Sequence, residues 1–319
     1  MPKFSLFAQS SRRLFRQART VSIGLWCIAA MTFLLATACT TQNSTPASQT
    51  DTFIDDYQRS VEVPLNPIRI VSTSPAVTEI MYALKAEQLL VGRTDYCVYP
   101  PQAQEIPSIG GISNLNVEKI VSLNPDLVIS GSMIPQKSSQ QLEQMGIPIV
   151  CVIEKQRFDG LYENISKIGQ LVGRTSEADS LVELMKTQLQ SLTQQLNNTN
   201  TVRPSVYYVG GFGPSGNFTA GGNSFINDLI DMAGGRNIAA DITGWSYSLE
   251  ALMQADPDYI MIRREDSATF CRTQPYNRLK AVKQGNVIAL ESGTIDLQVP
   301  RNLQAILYIS QKLKEKGGH

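Results

Sequence analysis

The sequence predicts an α/β protein of two lobes, each built on a mainly parallel sheet, joined by one long bridging helix. Three observations predict it. Short aliphatic runs alternate with helix-periodic segments, one strand-and-helix pattern occurs twice, and a leucine-periodic stretch lies between the two copies.

The alternation begins at Arg69. RIVSTS is a β-rich run, and Ser74 with Pro75 opens the apolar-periodic AVTEIMYALKA as a helix. LLVGR, PDLVIS and IPIVCVI follow as further compact strands, with helical sequence between them. Runs apolar on both faces and separated by helices describe a parallel sheet covered by helices. RPSVYYV, DYIMI and NVIAL form a second set, and the last helix is expected from about Arg301 to Lys316.

The repeat is LNVEKIVSLNPDLVIS from Leu115 against YSLEALMQADPDYIMI from Tyr247. Each copy holds a polar cap (Asn116, Ser248), a Glu at the second helical position (Glu118, Glu250), an apolar pair, then Pro-Asp and a strand. Two copies of one unit point to two similar lobes and are too few for a solenoid.

Between the copies, FDGLYENISKIGQLVGR reads as a helix ending near Gly173, and Ser176 as the cap of a second helix. Leu181, Leu184, Met185, Leu189, Leu192 and Leu196 recur at helical spacing. A helix over 177–197 would be roughly 30 Å long, enough to span a domain.

At the amino terminus, Lys3, Arg12, Arg13, Arg16 and Arg19 precede an apolar run that stops at Cys39, with no acidic residue before it. That is the layout of an export signal, and its apolar core is short for a membrane span. It resembles a lipoprotein signal, which implies lipidation of Cys39 and a membrane anchor there. Residues 1–38 are thus expected to be the signal and 39–54 the lipidated Cys with a polar tether. An amino-terminal lobe (55–158), a helical segment with the bridge (159–200) and a carboxyl-terminal lobe (201–319) follow.

Removing the signal leaves 23 basic against 28 acidic residues, a net charge of −5. No basic excess exists for nucleic acid. The single histidine is His319, so Ser/His/Asp and Cys/His catalysis and multi-histidine metal sites are excluded. The expectation is no catalytic residue, no metal site and no cofactor. Cys97, Cys151 and Cys271 allow either one disulfide with a free thiol or three free thiols, and Cys151 reads as core.

GFGPSG (Gly211, Gly213, Gly216) formally fits a dinucleotide fingerprint. That fingerprint needs a helix opening on its last Gly, whereas here Asn217 to Ala220 lead to another Gly pair. A glycine-rich cleft loop is expected, and a secreted dinucleotide-binding oxidoreductase is the alternative of a different class.

RIVSTSPAVTEIMYAL, VGRTDYCVYPP, IPSIGG, NVEKIVSLNPDLVIS and FTAGGNSFINDLIDMAGGRNI resemble the cobalamin and ferric-siderophore binding proteins of ABC importers, over nearly all of residues 55–315. The resemblance implies two α/β lobes bridged by one helix, with a ligand held between the lobe tips. It also implies that Glu118 and Glu250 dock the chain on a permease. Such a receptor is expected to be a monomer, in the periplasm or at the outer face of the cytoplasmic membrane. Tyr96, Cys97, Phe218 and Trp245 flank strand ends, where open α/β sheets bind ligands, and are the candidate ligand contacts. The expected ligand is cobalamin. Ferric siderophore and haem remain alternatives, because Ile112 stands where cobalamin receptors of the family carry a cleft Trp. A lipoprotein without a transporter would keep the fold and lose the docking role.

Overall fold

The structure, a computed structural model, describes residues 49–131, 134–198 and 202–315. Cys39, His319, the signal and most of the tether lie outside the described residues.

A hairpin comes first: β1 (Thr50–Ile54) pairs antiparallel with β2 (Ser60–Pro64). The tether expected through residue 54 therefore ends earlier. Phe53 and Val63 both reach the core, and Asp55 closes the turn by accepting from the amides of Tyr57 and Arg59. The polar composition of 40–52 concealed this strand, because its stability comes from a partner strand and one buried ring.

Then come β3 (Ile70–Ser72), α1 (Pro75–Ala83), β4 (Leu90–Arg93) and a two-residue hairpin, β5 (Gly110–Gly111) with β6 (Asn114–Leu115). The first half ends with α2 (Val117–Ser122), β7 (Leu127–Ser130), α3 (Gln136–Gln144) and β8 (Ile149–Cys151). Helices α4 (Gly160–Leu171) and α5 (Thr175–Asn197) connect it to the second half. At 23 residues, α5 is about 35 Å long. It starts one residue before Ser176, so Ser176 lies inside the first turn and is not the cap.

The second half holds β9 (Ser205–Val209), α6 (Phe225–Met232), β10 (Arg236–Asn237) and α7 (Leu249–Ala255). It continues through β11 (Tyr259–Arg263), α8 (Arg264–Arg272), α9 (Lys280–Lys283), β12 (Val287–Leu290) and α10 (Asn302–Glu315). Among the described residues, no helix is long and apolar enough to cross a membrane.

The two four-stranded sheets run β4-β3-β7-β8 and β10-β9-β11-β12, all neighbours parallel. Both place the second strand, then the first, third and fourth. The repeat extends to single hydrogen bonds. Asn116 accepts from the Lys119 amide at 2.8 Å and Ser248 from the Ala251 amide at 3.0 Å, capping α2 and α7. Asn124 and Asp256, each just before the Pro-Asp pair, take positive φ (47° and 36°). Asp126 then accepts from the amides of Ile68 and Arg69, and Asp258 from that of Ser205, pinning the start of the neighbouring strand in each sheet.

Period-two alternation divides the strand residues between three cores. Ile70, Leu127, Ile129, Val206, Tyr208, Tyr259 and Met261 share one cluster with Val182, Met185 and Leu189 of α5. Val71 and Val128 face an outer cluster of the first half; Tyr207, Val209, Ile260 and Ile262 face one of the second. The bridging helix thus lays its apolar face on a core that both sheets enter.

Candidate ligand site

A parallel sheet gathers the loops that follow its strands on one side. The residues after β3 (Thr73, Ser74, Pro75), the tip of the β5–β6 hairpin (Ile112), the residues after β7 (Gly131, Ile134), Glu154 after β8 and Leu297 after β12 line one depression of about 120 Å³. It draws on both halves of the chain, which makes it the floor of a cleft. A wider depression of about 440 Å³ lies against β2 and β8, lined by Arg59, Glu62 and Glu143, and draws on the first half alone.

The segment after β8 ties the halves together. Gln298, 1% exposed, accepts from the Lys155 amide at 2.9 Å and donates to the carbonyls of Lys155 and Arg157. Asp228 of α6 accepts from the Phe158 amide and pairs with Arg157. Beside them Glu154 is pushed up to about 7 by burial, with the Gln298 amide pulling the other way.

Of the four candidate contacts, three are exposed and one is not. Tyr96 is 62%, Trp245 51% and Phe218 40% exposed. Cys97 is fully buried, its Sγ 3.2 Å from Thr94 Oγ1, and it is withdrawn as a ligand contact. Its backbone amide closes the turn onto the Thr94 carbonyl, and that turn projects Tyr96 outward. Cys97, Cys151 and Cys271 are all free thiols. Cys151 is buried as expected, but it also meets Ser130 Oγ at 2.9 Å.

Phe218 and Trp245 are brought together; Tyr96 belongs to the other half. The Thr219 amide donates to the Trp245 carbonyl at 2.7 Å, and Gly221 and Gly222 donate to Gly244 and Ile242. A Cβ on Gly222 would lie 2.0 Å from the Ala240 carbonyl oxygen, so this close approach requires glycine. The preceding loop bridges back on itself, Gly211 to Phe218, and Tyr276 fixes it by donating to Asn217 at 2.6 Å and accepting from the Gly213 amide. No helix opens at Gly216; the next, α6, begins at Phe225 under a Ser224 cap. The dinucleotide geometry is therefore missing.

Sequence reasoning missed Tyr99 and the arginines. Tyr99, 44% exposed, stacks on the Arg301 guanidinium at 4.1 Å. Arg301 forms a bidentate pair with Glu79. At the ends of β11 and β12, Arg263 pairs with Asp296 at 2.7 Å and Arg264 with Glu291. Tyr208, its phenol pushed up by burial and by Asp296, donates to the same carboxylate. Strand ends followed by Arg-Arg or by Asp were visible in the sequence, but the pairings join residues far apart along it.

Glu118 and Glu250 are exposed at the second positions of α2 and α7, and neither forms an ion pair among the described residues. Among those residues, no group of three or more His, Cys, Asp or Glu could hold a metal ion.

Comparison with known proteins agrees with this architecture. The ABC transporter substrate-binding lipoprotein YvrC of Bacillus subtilis is 27% identical, covering 91% of this chain and 96% of its own. The cobalamin-binding protein of Halobacterium salinarum is 30% identical over 77% of this chain and 69% of its own. The periplasmic heme-binding protein RhuT of Roseiflexus superposes with a TM-score of 0.68 at 25% identity, over 77% of this chain and 98% of that one. The periplasmic binding protein family profile matches residues 70–294, and this chain belongs to that family.

Proposed function

We infer that this chain is the lipid-anchored, extracytoplasmic receptor of an ABC importer, and that it captures a corrinoid between its lobes for delivery to the permease. The observation that carries the ligand reading is a charge pattern. Arg263, Arg264 and Arg301 are each already paired with a carboxylate, while the rings of Tyr96, Phe218 and Trp245 are exposed. Such a cleft offers contact area in place of unpaired cations, which suits a large, mostly uncharged macrocycle. The cobalamin-binding relative supports the same class.

Haem or a ferric siderophore is the second reading, favoured by the heme-binding structural neighbour and by the exposed Tyr96 phenol, a group able to ligate iron. Calorimetry with cyanocobalamin is expected to give submicromolar binding, about −8 kcal/mol or stronger. Saturable binding of haem or a ferric hydroxamate, with none of cobalamin or cobinamide, would transfer the assignment to this second reading.

A further inference from the structure

The cleft floor is chemically unlike its aromatic walls. Its volume is about 120 Å³. It is far too small for a macrocycle and large enough for a short side arm. Its lining is mixed. Pro75, Ile112, Ile134 and Leu297 supply apolar contacts, and Thr73, Ser74 and Glu154 bring side-chain oxygens.

Thr73 is 3% exposed as a residue and lines the depression. The Ser74 side chain makes no cap bond to α1, so the first-turn amides of that helix lack a side-chain acceptor. Thr73 and Ser74 thus bring potential donors to the depression. Glu154 lines the same depression and brings a carboxyl group, with the Gln298 amide beside it. An occupant that accepts from the hydroxyl side and donates to the carboxyl group would meet both kinds of group that line the depression.

A primary carboxamide satisfies both. Its carbonyl oxygen accepts from the hydroxyl side, and its NH₂ donates to a Glu154 oxygen whether or not that group carries a proton. A carboxylate in the same place has no hydrogen to offer and sets two acid groups together in a water-poor site, which is disfavoured. We propose that the depression under the cleft seats one peripheral carboxamide arm of the ligand, and that Glu154 selects the amide against the corresponding acid. Thr73 is the paired donor. This assignment rests on the corrinoid reading and deepens it.

The test uses cyanocobalamin and its separated monocarboxylic acids, each with one peripheral carboxamide hydrolysed, titrated calorimetrically into the purified chain. One isomer is expected to bind at least about tenfold more weakly than cyanocobalamin, the others within about threefold. In Glu154→Gln, whose amide can donate to a carboxylate, the discrimination against that isomer should shrink to about threefold or less. Thr73→Val should weaken cyanocobalamin itself by about fivefold or more, a donor having been removed from the amide's oxygen. Isomers that all bind alike, or a preference that Glu154→Gln leaves unchanged, would overturn the subsite and leave the corrinoid reading standing. If cyanocobalamin does not bind at all, the ligand class falls, and the subsite with it.

Discussion

Glu79 on α1 and Arg301 before α10 meet in a two-pronged ion pair, Nε to Oε2 and Nη2 to Oε1 both at 2.8 Å, although 222 positions separate them. Glu79 is 5% exposed, and burial raises its carboxyl pKa against the pull of Arg301. The pair spans the two halves of the chain, and Tyr99 covers its guanidinium face. Removing Arg301 would strand a carboxyl group where water cannot reach it. Arg301→Met is expected to lower unfolding free energy by about 3–5 kcal/mol, with the double change Glu79→Met and Arg301→Met less damaging than the single one. Urea unfolding of the three variants checks it; a loss under about 1 kcal/mol for the single change contradicts it.

The aromatic contacts divide by lobe. Trp245→Ala and Phe218→Ala are expected to weaken ligand binding by about 1–3 kcal/mol each. Their backbones share one strand-like pairing, so truncating either ring can loosen the other and the effects should not add, whereas Tyr96→Ala should add to either. Cys97→Ala, altering a side chain with no exposure, should leave affinity within about twofold. Equal losses at Cys97 and Trp245 would refute the assignment.

Glu118 and Glu250 sit at equivalent places in the repeat, and charge-assisted pairs with arginines of a permease would orient the receptor at both ends. Glu118→Ala with Glu250→Ala should abolish uptake by cells while leaving ligand affinity intact. The same double change removes two favourable helix-dipole contacts of about 0.3–1 kcal/mol each, so melting should move only slightly. An affinity loss as steep as the transport loss would rule out docking.

Glu154 makes stability depend on pH. Its folded pKa of about 7 lies above the unfolded value of 4.5, so the folded chain binds this proton more tightly. Its contribution is therefore full below pH 4.5 and is lost as pH rises through 7, at most about 3 kcal/mol in all. Glu154→Gln lacks this slope. The stability difference between variant and wild type should widen from pH 4.5 to 7 and then level off; a difference constant over that window would show that the carboxyl is solvated.

Cys39 is the proposed lipid anchor. Cys39→Ala should abolish metabolic labelling by palmitate and release the protein from the membrane fraction, because stable anchoring needs more than one acyl chain. Unchanged labelling would exclude it.

What could be read from the sequence was local. The caps at Asn116 and Ser248, the Pro-Asp turns and the strands of the repeat all stand where periodicity and turn chemistry put them, since each is decided within a few residues. The long helix was found from its leucine spacing, but its first residue was not, because Thr175 and Ser176 are both good starters. Cys97 was misread because a turn after a strand usually exposes its residues, and here Thr94 draws the thiol inward. Glu154, Tyr99 and the paired arginines carried no local signal. Their surroundings are assembled from separate segments, 27 and 33 positions apart for Arg264 and Arg263 and 222 for Arg301, and a charged residue in a loop is ordinarily solvated.

The central core contains both Phe53, close to the beginning of the described chain, and Leu313, close to its end. During synthesis, then, the nascent polypeptide cannot complete that core until nearly the last helix has emerged. Helices α1 and α4 supply Val77, Ile80, Leu161 and Ile165 to that core, and the second half supplies Val206, Met261 and Ile306. Once the last turns arrive, both lobes gain their shared interior together and should melt together, as a single calorimetric transition.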